Sequence, residues 1–548
     1  MYAITRSGPV LAAFACAAFA AAGEPTPTGT KTGLIPRKVL FDNPDKSGAK
    51  ISPDGQRLSY LAPVDGVMNV WVGPIDKPDD AKPVTQDKVR GIRSYFWAYT
   101  SQHLLYIQDK GGDENWHVYR VDLKSGATQD LTPIKGVNAQ VEGVSPKFPT
   151  EILVGLNDRD PKYHDVHRVD LLSGERKLIQ KNDGFAGFLT DDQFQVRFAF
   201  KFTPDGGQLA LKPDGKGGWT DFMKIPMADS LTTRPAGFDK TGDVLYLVDS
   251  RARDTGAMTT LDLKTGKQAL VAEDKRADAG SAIVHPTEKT IQAVSFTYDR
   301  TRWQFLDAGL KADFDTLAKV ADGEITLADR TQDDKTWIVA FVMDNGPVRY
   351  YAYDRPAKKA RFLFTNRKSL EGLPLQKMHT PIVKSRDDFN LVCYLTLPPG
   401  SDARGAGRPD APVPMVLLVH GGPWARDAWG FNGYHQFLAN RGYAVLSVNY
   451  RGSTGFGKRF LNAGNKEWAG KMHDDLIDAV DWAVKEKIAQ PDKVAIMGGS
   501  YGGYATLAGL AFTPKAFACG ESPASRTVAV SRRNSETSSQ RLNMNSIP

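Results

Sequence analysis

Three stretches of this chain repeat one pattern. Arg120-Val121-Asp122-Leu123-Lys124-Ser125-Gly126 is echoed by Arg168-Val169-Asp170-Leu171-Leu172-Ser173-Gly174, and again by Thr260-Leu261-Asp262-Leu263-Lys264-Thr265-Gly266. Each alternates apolar and polar residues, as a half-buried strand must. Each ends in a turn whose glycine can take positive φ. Matching turns open the units, at Ser52-Pro53-Asp54-Gly55, Thr203-Pro204-Asp205-Gly206 and Asp239-Lys240-Thr241-Gly242, with weaker versions near Gln102, Pro149, Pro286 and Asp334. That makes seven candidate units across residues 37–370. Strands of this kind cannot bury their faces alone, and stacking around a ring supplies the partners. The period is that of propeller blades. The expectation is a seven-bladed β-propeller with no helix of useful length inside it.

Little in the repeat points to chemistry. His164 and His167 sit in an Asp-rich stretch with Asn157-Asp158-Arg159-Asp160, but His167 falls where the preceding repeat has Tyr119. A strand residue beside a solvated turn is the simpler reading than a metal ligand. Asp113 and Glu114, in the hairpin GGDENWHVY, could face a central cavity and meet a substrate amine; a solvated hairpin tip is the plainer reading.

Past residue 375 the pattern changes to strands alternating with helices, which implies a mostly parallel sheet covered on both faces. Residues 391–397, 415–419, 443–448 and 494–497 read as strands. Residues 474–487 read as an amphipathic helix with Leu476, Ile477, Val480, Ala483 and Val484 on one face. Asp474 and Asp475 lie in its first turn, where the helix dipole favours negative charge. Residues 376–520 therefore form a second, α/β domain, as expected of 548 residues that are too many for one core.

The last of these strands runs into Gly498-Gly499-Ser500-Tyr501-Gly502-Gly503-Tyr504, with a helix expected over 504–512. A G-x-S-x-G between a strand and a helix is a nucleophile elbow. The turn is so tight that only small neighbours avoid a clash, and Gly498 and Gly502 meet that need. Ser500 is the candidate catalytic nucleophile. The amide of Tyr501 can donate to a developing oxyanion. His420-Gly421-Gly422-Pro423, at another strand end, supplies a second oxyanion donor in the Gly422 amide, since Pro423 has none. The alternative is a glycine turn whose serine merely caps the helix. His420 lies on the oxyanion side and reads as structural.

Following a propeller, HGGP, NYRGSTGFG, DDLIDAVDW and GGSYGGY resemble the prolyl oligopeptidase family, in its acylaminoacyl-peptidase and dipeptidyl-peptidase branch. The resemblance spans residues 37 to 519. It implies a propeller joined to an α/β-hydrolase domain, and a serine peptidase that cleaves short peptides through an acyl-enzyme on Ser500, with the propeller restricting access. It implies no metal or organic cofactor. Two other readings stay open: a non-catalytic propeller binding protein, and a carboxylesterase that shares the elbow.

The chain departs from that pattern after the elbow. An α/β-hydrolase orders its triad Ser, then Asp or Glu, then His. All nine histidines precede Ser500, and the only acids after it are Glu521 and Glu536. Residues 521–548 show no periodicity and read as a disordered, non-family tail. The expectation is a hydrolase domain cut short near residue 520, with an unpaired sheet edge and, for the chain as written, little activity and poor solubility.

The N-terminus carries Arg6 and an apolar run over 10–22 that ends in Ala20-Ala21-Ala22. It reads as a cleaved export signal over residues 1–22, the rival being a retained anchor. The expected location is periplasmic or secreted, with no stable membrane insertion after cleavage. The excess of 70 basic over 63 acidic residues is small and without a basic block, so no nucleic-acid partner is expected. Cys16 falls in the signal, and Cys393 and Cys519 read as unpaired buried thiols.

Overall fold

The computed structural model describes residues 33–522 and 527–530. Seven antiparallel sheets follow one another over residues 47–83, 95–130, 140–180, 187–225, 234–272, 279–305 and 324–365. They are seven propeller blades, as the repeat predicts. Six have four strands and the sixth has three. The ring closes through packing rather than a shared strand. Ala49, Ile51, Leu58 and Tyr60 of the first blade share one buried cluster with Ile338, Ala352, Leu363 and Phe364 of the seventh.

The three repeated segments fold alike in atomic detail. The carboxylate of Asp122 accepts the amides of Lys124 and Ser125 at 2.8 and 3.1 Å. Asp170 accepts those of Leu172 and Ser173, and Asp262 those of Lys264 and Thr265. In each case the turn glycine, at 126, 174 or 266, donates back to the aspartate carbonyl and has a φ between +73° and +79°. The repeat is thus an aspartate-anchored hairpin turn, written three times.

The expectation of a helix-free propeller is wrong. After α1 (Arg37–Phe41), a ten-residue helix, α2 (Ala308–Leu317), follows the third strand of blade six. Asp307 caps it by accepting the amide of Leu310 at 2.8 Å. Leu310, Phe314 and Leu317 fall on one face and pack beside Trp337 and Tyr353 of blade seven. Three large apolar residues in ten make a weak helical signal, masked by the strand rhythm around it. α1 packs outside the propeller: Leu40 and Ile35 join Leu370, Leu375, Phe431 and Phe437.

The second domain is built on a sheet of eight strands: β1 (Met378–His379), β2 (Ile382–Lys384), β3 (Asn390–Thr396), β4 (Val413–Val419), β5 (Ala444–Val448), β6 (Ala489–Gly498), β7 (Cys519–Ser522) and β8 (Thr527–Val530). Their order is β1-β3-β5-β4-β6-β7-β8, with β2 also pairing β3. β4 sits between β5 and β6, parallel to both. Its Met415, Leu417 and Val419 are buried on one face and Val416 on the other, with Leu418 half-buried, which is why residues 415–419 read as one apolar run. The helices are α3 (Gly433–Ala439), α4 (Lys458–Asn462), α5 (Lys471–Lys485) and α6 (Tyr501–Phe512). α5 buries Leu476, Ala479, Val480 and Ala483 against the sheet.

The expected unstructured tail also needs correction. Glu521 and Ser522 belong to β7, and β8 pairs antiparallel with it, so the outer edge of β7 is covered. Thr527-Val528-Ala529-Val530 is rich in β-branched residues, a short strand signal beside a polar stretch. Residues 523–526 and 531–548 lie outside the described residues, as do residues 1–32, on which the expected export signal and Cys16 fall. Cys393 is buried and Cys519 half-buried, both as free thiols.

The two domains share an interface. The Arg426 guanidinium donates to the carbonyls of Thr297 and Tyr298, each at 2.7 Å. The Lys458 ammonium reaches Asp229 at 2.7 Å and the Ser250 carbonyl at 3.0 Å. Tyr246, Val248 and Met258 of blade five lie in the same buried cluster as the hydrolase sheet.

Candidate active site

β6 ends at Gly498, and α6 begins at Tyr501, so only Gly499 and Ser500 make the turn. Ser500 takes φ 54° and ψ −121°, a backbone conformation that L-residues rarely hold. Its neighbours show why glycine is needed. A Cβ on Gly498 would lie 2.6 Å from the Val419 carbonyl oxygen and 2.7 Å from the Gly502 backbone. A Cβ on Gly502 would fall on the same carbonyl oxygen. β4 and the first turn of α6 therefore touch backbone to backbone, and the elbow is wedged between them.

The Ser500 side chain is exposed and makes no capping bond to α6. That removes the helix-cap reading of this serine. The loop after β4 comes close: a Cβ on Gly421 would stand 3.3 Å from Ser500 Cβ and 3.9 Å from its Oγ. Gly422, next in that loop, has φ 130°, and a Cβ there would meet the Trp424 amide at 2.7 Å. Among the described residues, the amides of Tyr501 and Gly422 have no acceptor. The turn thus presents a hydroxyl beside two unpaired donors, one at the positive end of α6. Such a site can add a nucleophile to a carbonyl and hold the resulting negative charge.

His420 serves the scaffold. Its Nδ1 donates to the Gly421 carbonyl at 2.7 Å, and its Nε2 bonds the Ser453 hydroxyl at 2.9 Å. Its ring stacks on Tyr450 at 4.5 Å. His435 is buried between the hydroxyls of Thr396 and Ser447, each at 2.9 Å, and burial pushes its pKa down to about 3. His473 bonds Thr513. Among the described residues, no histidine hydrogen bonds Ser500.

Sequence reasoning gave no role to Arg451, in the NYRGS segment, yet it organises the loop after β5. Its guanidinium, 2% exposed, bonds Asp475 at 2.6 and 2.9 Å and Asp387 at 2.7 and 2.8 Å. Its own amide donates to Asp475 at 2.8 Å. Asp475, read from the sequence as a dipole partner, is instead fully buried as this anchor. The arginine holds the Asp387 carboxyl well below the ordinary range. The signal available was an arginine beside a strand end with paired acids downstream; Asp387, 64 residues away, carried none.

In the propeller, His164 bonds the Asn138 carbonyl at 2.9 Å and His167 the Asp165 carbonyl at 3.3 Å. Asp113 accepts amides of its own hairpin, from Lys110 and Asn115, and it and Glu114 are exposed. Among the described residues, no group of three His, Cys, Asp or Glu side chains could hold a metal ion.

A serine forced into a strained strand-to-helix turn, on a parallel sheet joined to a seven-bladed ring, defines a propeller-linked α/β-hydrolase. Comparison with known proteins makes this specific. The prolyl oligopeptidase family profile matches residues 429–538, extending past the point where the sequence suggested a non-family tail. Dipeptidyl aminopeptidase BIII of Pseudoxanthomonas mexicana is 54% identical over 511 residues, covering 93% of this chain and 74% of that protein. Dipeptidyl peptidase family member 6 of Caenorhabditis elegans is 34% identical over 518 residues, covering 89% and 70%. Among solved structures, a puromycin-hydrolyzing peptidase of Mycobacterium tuberculosis superposes with a TM-score of 0.68 at 17% identity, over 89% of this chain and 78% of that one; at that identity it shows the shared fold. The chain belongs to the prolyl oligopeptidase family of serine peptidases.

Proposed function

We propose that Ser500 is the nucleophile of a peptidase that removes dipeptides from the amino end of short peptides. The observation that carries this reading is the Ser500 backbone, strained at φ 54° and ψ −121° with its hydroxyl exposed beside two unpaired amides. Ser500 Oγ adds to the scissile carbonyl carbon, and its proton passes to solvent water, since no histidine among the described residues bonds the hydroxyl. The amides of Tyr501 and Gly422 receive the oxyanion. The C–N bond then breaks, the amine departs with a proton, and water hydrolyses the acyl-serine ester. Two relatives named as dipeptidyl peptidases, at 54% and 34% identity, support the dipeptidyl class. The reaction needs no metal or organic cofactor. The apolar run at residues 10–22 supports an exported protein, periplasmic or secreted.

A second reading, a binding protein without catalysis, draws on one observation: among the described residues, no histidine bonds Ser500. Hydrolysis of dipeptidyl-aminocoumarins by the full chain separates the two. The peptidase reading expects turnover that Ser500→Ala abolishes. Peptide binding without turnover favours the binding protein, and cleavage of simple esters alone favours a carboxylesterase.

A further inference from the structure

Between α4 and α5 the chain makes a loop over residues 463–470 that is held in an unfavourable shape. Lys466 and Ala469 both sit in the left-handed region, at φ 64° and 57°. Neither is glycine, so surrounding structure must impose the conformation. The bracing is visible. A Cβ on Gly464 would lie 2.8 Å from Gly452 Cα, so the loop rests backbone to backbone on the turn after β5. The Gly470 amide donates to the Glu467 carbonyl at 3.0 Å, and the Lys471 amide to the Glu467 carboxylate at 3.1 Å.

What this rigid loop displays is Trp468, 50% exposed. Its indole meets the Tyr501 ring edge-on at 5.0 Å and the Tyr504 ring at 5.2 Å. Tyr501 is buried, its hydroxyl directed at the Met472 sulfur, so it serves as a pedestal. Tyr504 is 38% exposed. An exposed aromatic pair, Trp468 and Tyr504, therefore rests against Tyr501, the residue that follows Ser500. Solvating an indole on a strained, braced loop, beside a phenol ring on α6, costs stability and is informative where it adjoins a nucleophile.

We propose that Trp468, backed by Tyr501 and Tyr504, is a specificity-determining residue. It receives the apolar side chain of the substrate residue whose carbonyl Ser500 attacks. That carbonyl oxygen is held at the Tyr501 amide, so the side chain one bond further on is the one nearest the Tyr501 ring and the indole above it. The inference rests on Ser500 as the nucleophile, and its test does not depend on turnover.

The test is calorimetric titration of the full chain with Gly-Phe and Gly-Ala, dipeptides that match the acyl product. The unaltered protein is expected to bind Gly-Phe about tenfold more tightly, the scale on which apolar pockets discriminate. Trp468→Ala should erase that preference, and Trp468→Phe should restore most of it, which separates a lost wall from a damaged fold. Equal affinity for the two dipeptides in the unaltered protein, binding of neither, or a preference that survives Trp468→Ala would each overturn the proposal. Ser500→Ala should keep the preference, because the wall does not need the hydroxyl. Lack of coumarin turnover with the preference intact would count against the nucleophile and leave the wall standing; turnover without the preference would do the reverse.

Discussion

Glycine recurs at the turns of both domains, for two different reasons. In the propeller, Gly126 and Gly266 have φ of +74° and +73°, and a Cβ on either would meet nothing within 4 Å. They are glycine because of conformation. In the hydrolase elbow, Gly498 and Gly502 have no such φ, and a Cβ on either would strike the Val419 carbonyl. They are glycine because of space. The strain at the elbow falls instead on Ser500, the residue that carries the chemistry. The aspartate-anchored propeller turns thus place glycine where φ turns positive. The elbow packs glycine around a bend and lets Ser500 bear the unfavourable angles. Anchoring differs in the same way. Propeller turns are held by an aspartate bonded to its own backbone. The hydrolase loop is held by Arg451, which reaches two carboxylates on distant elements.

The largest effect expected from this contrast is at Arg451. Replacing it by Ala leaves Asp475 buried without its cation, at a cost of about 3–5 kcal/mol. Urea unfolding should show that loss in the hydrolase transition, with the propeller transition unmoved. Gly502→Ala forces apart two backbones that cannot yield, and should cost about 3 kcal/mol and abolish dipeptidyl-aminocoumarin turnover. An alanine there that left stability and turnover intact would break the distinction between the two kinds of glycine.

Acid should also separate the domains. The His435 pKa lies near 3 in the folded protein, below its ordinary 6.5. As pH falls below about 6.5 the unfolded chain binds this proton and the folded one does not, so stability is lost progressively down to about pH 3. The loss is about 1.4 kcal/mol per pH unit, or about 2 kcal/mol by pH 5. Asp122, Asp170 and Asp262 are shifted the opposite way, lowered by the turn amides they accept. Their contribution is present above the unfolded value near pH 3.9 and is lost only below it. Going from pH 7 to pH 5 should therefore weaken the hydrolase transition more than that of the propeller, where His103 is also lowered by burial, and His435→Gln should flatten the hydrolase slope. The smallest effect is at Gly126: an alanine there costs about 1 kcal/mol, through φ alone, and leaves turnover unchanged.

How much of this was legible follows from what each feature depends on. The blades could be read because each turn is local: Asp122 bonds the amides two and three residues on, and the pattern recurs at Asp170 and Asp262. The elbow could be read because strand, turn and helix are contiguous. α2 was hidden because its three large apolar residues sit among strands of similar composition. Arg451 was hidden because its partners come from two other elements, and the Lys458–Asp229 bridge because it spans 229 residues between domains. Trp468 belongs with these. An exposed tryptophan in a polar loop gains meaning only once the Tyr501 ring is found beneath it.

The most direct test of the central claim is to treat the full chain with a fluorophosphonate and map the adduct by mass spectrometry. The account predicts one modified residue, Ser500, with labelling lost in Ser500→Ala. An adduct on another serine, or none under conditions that label a known serine hydrolase, would contradict it.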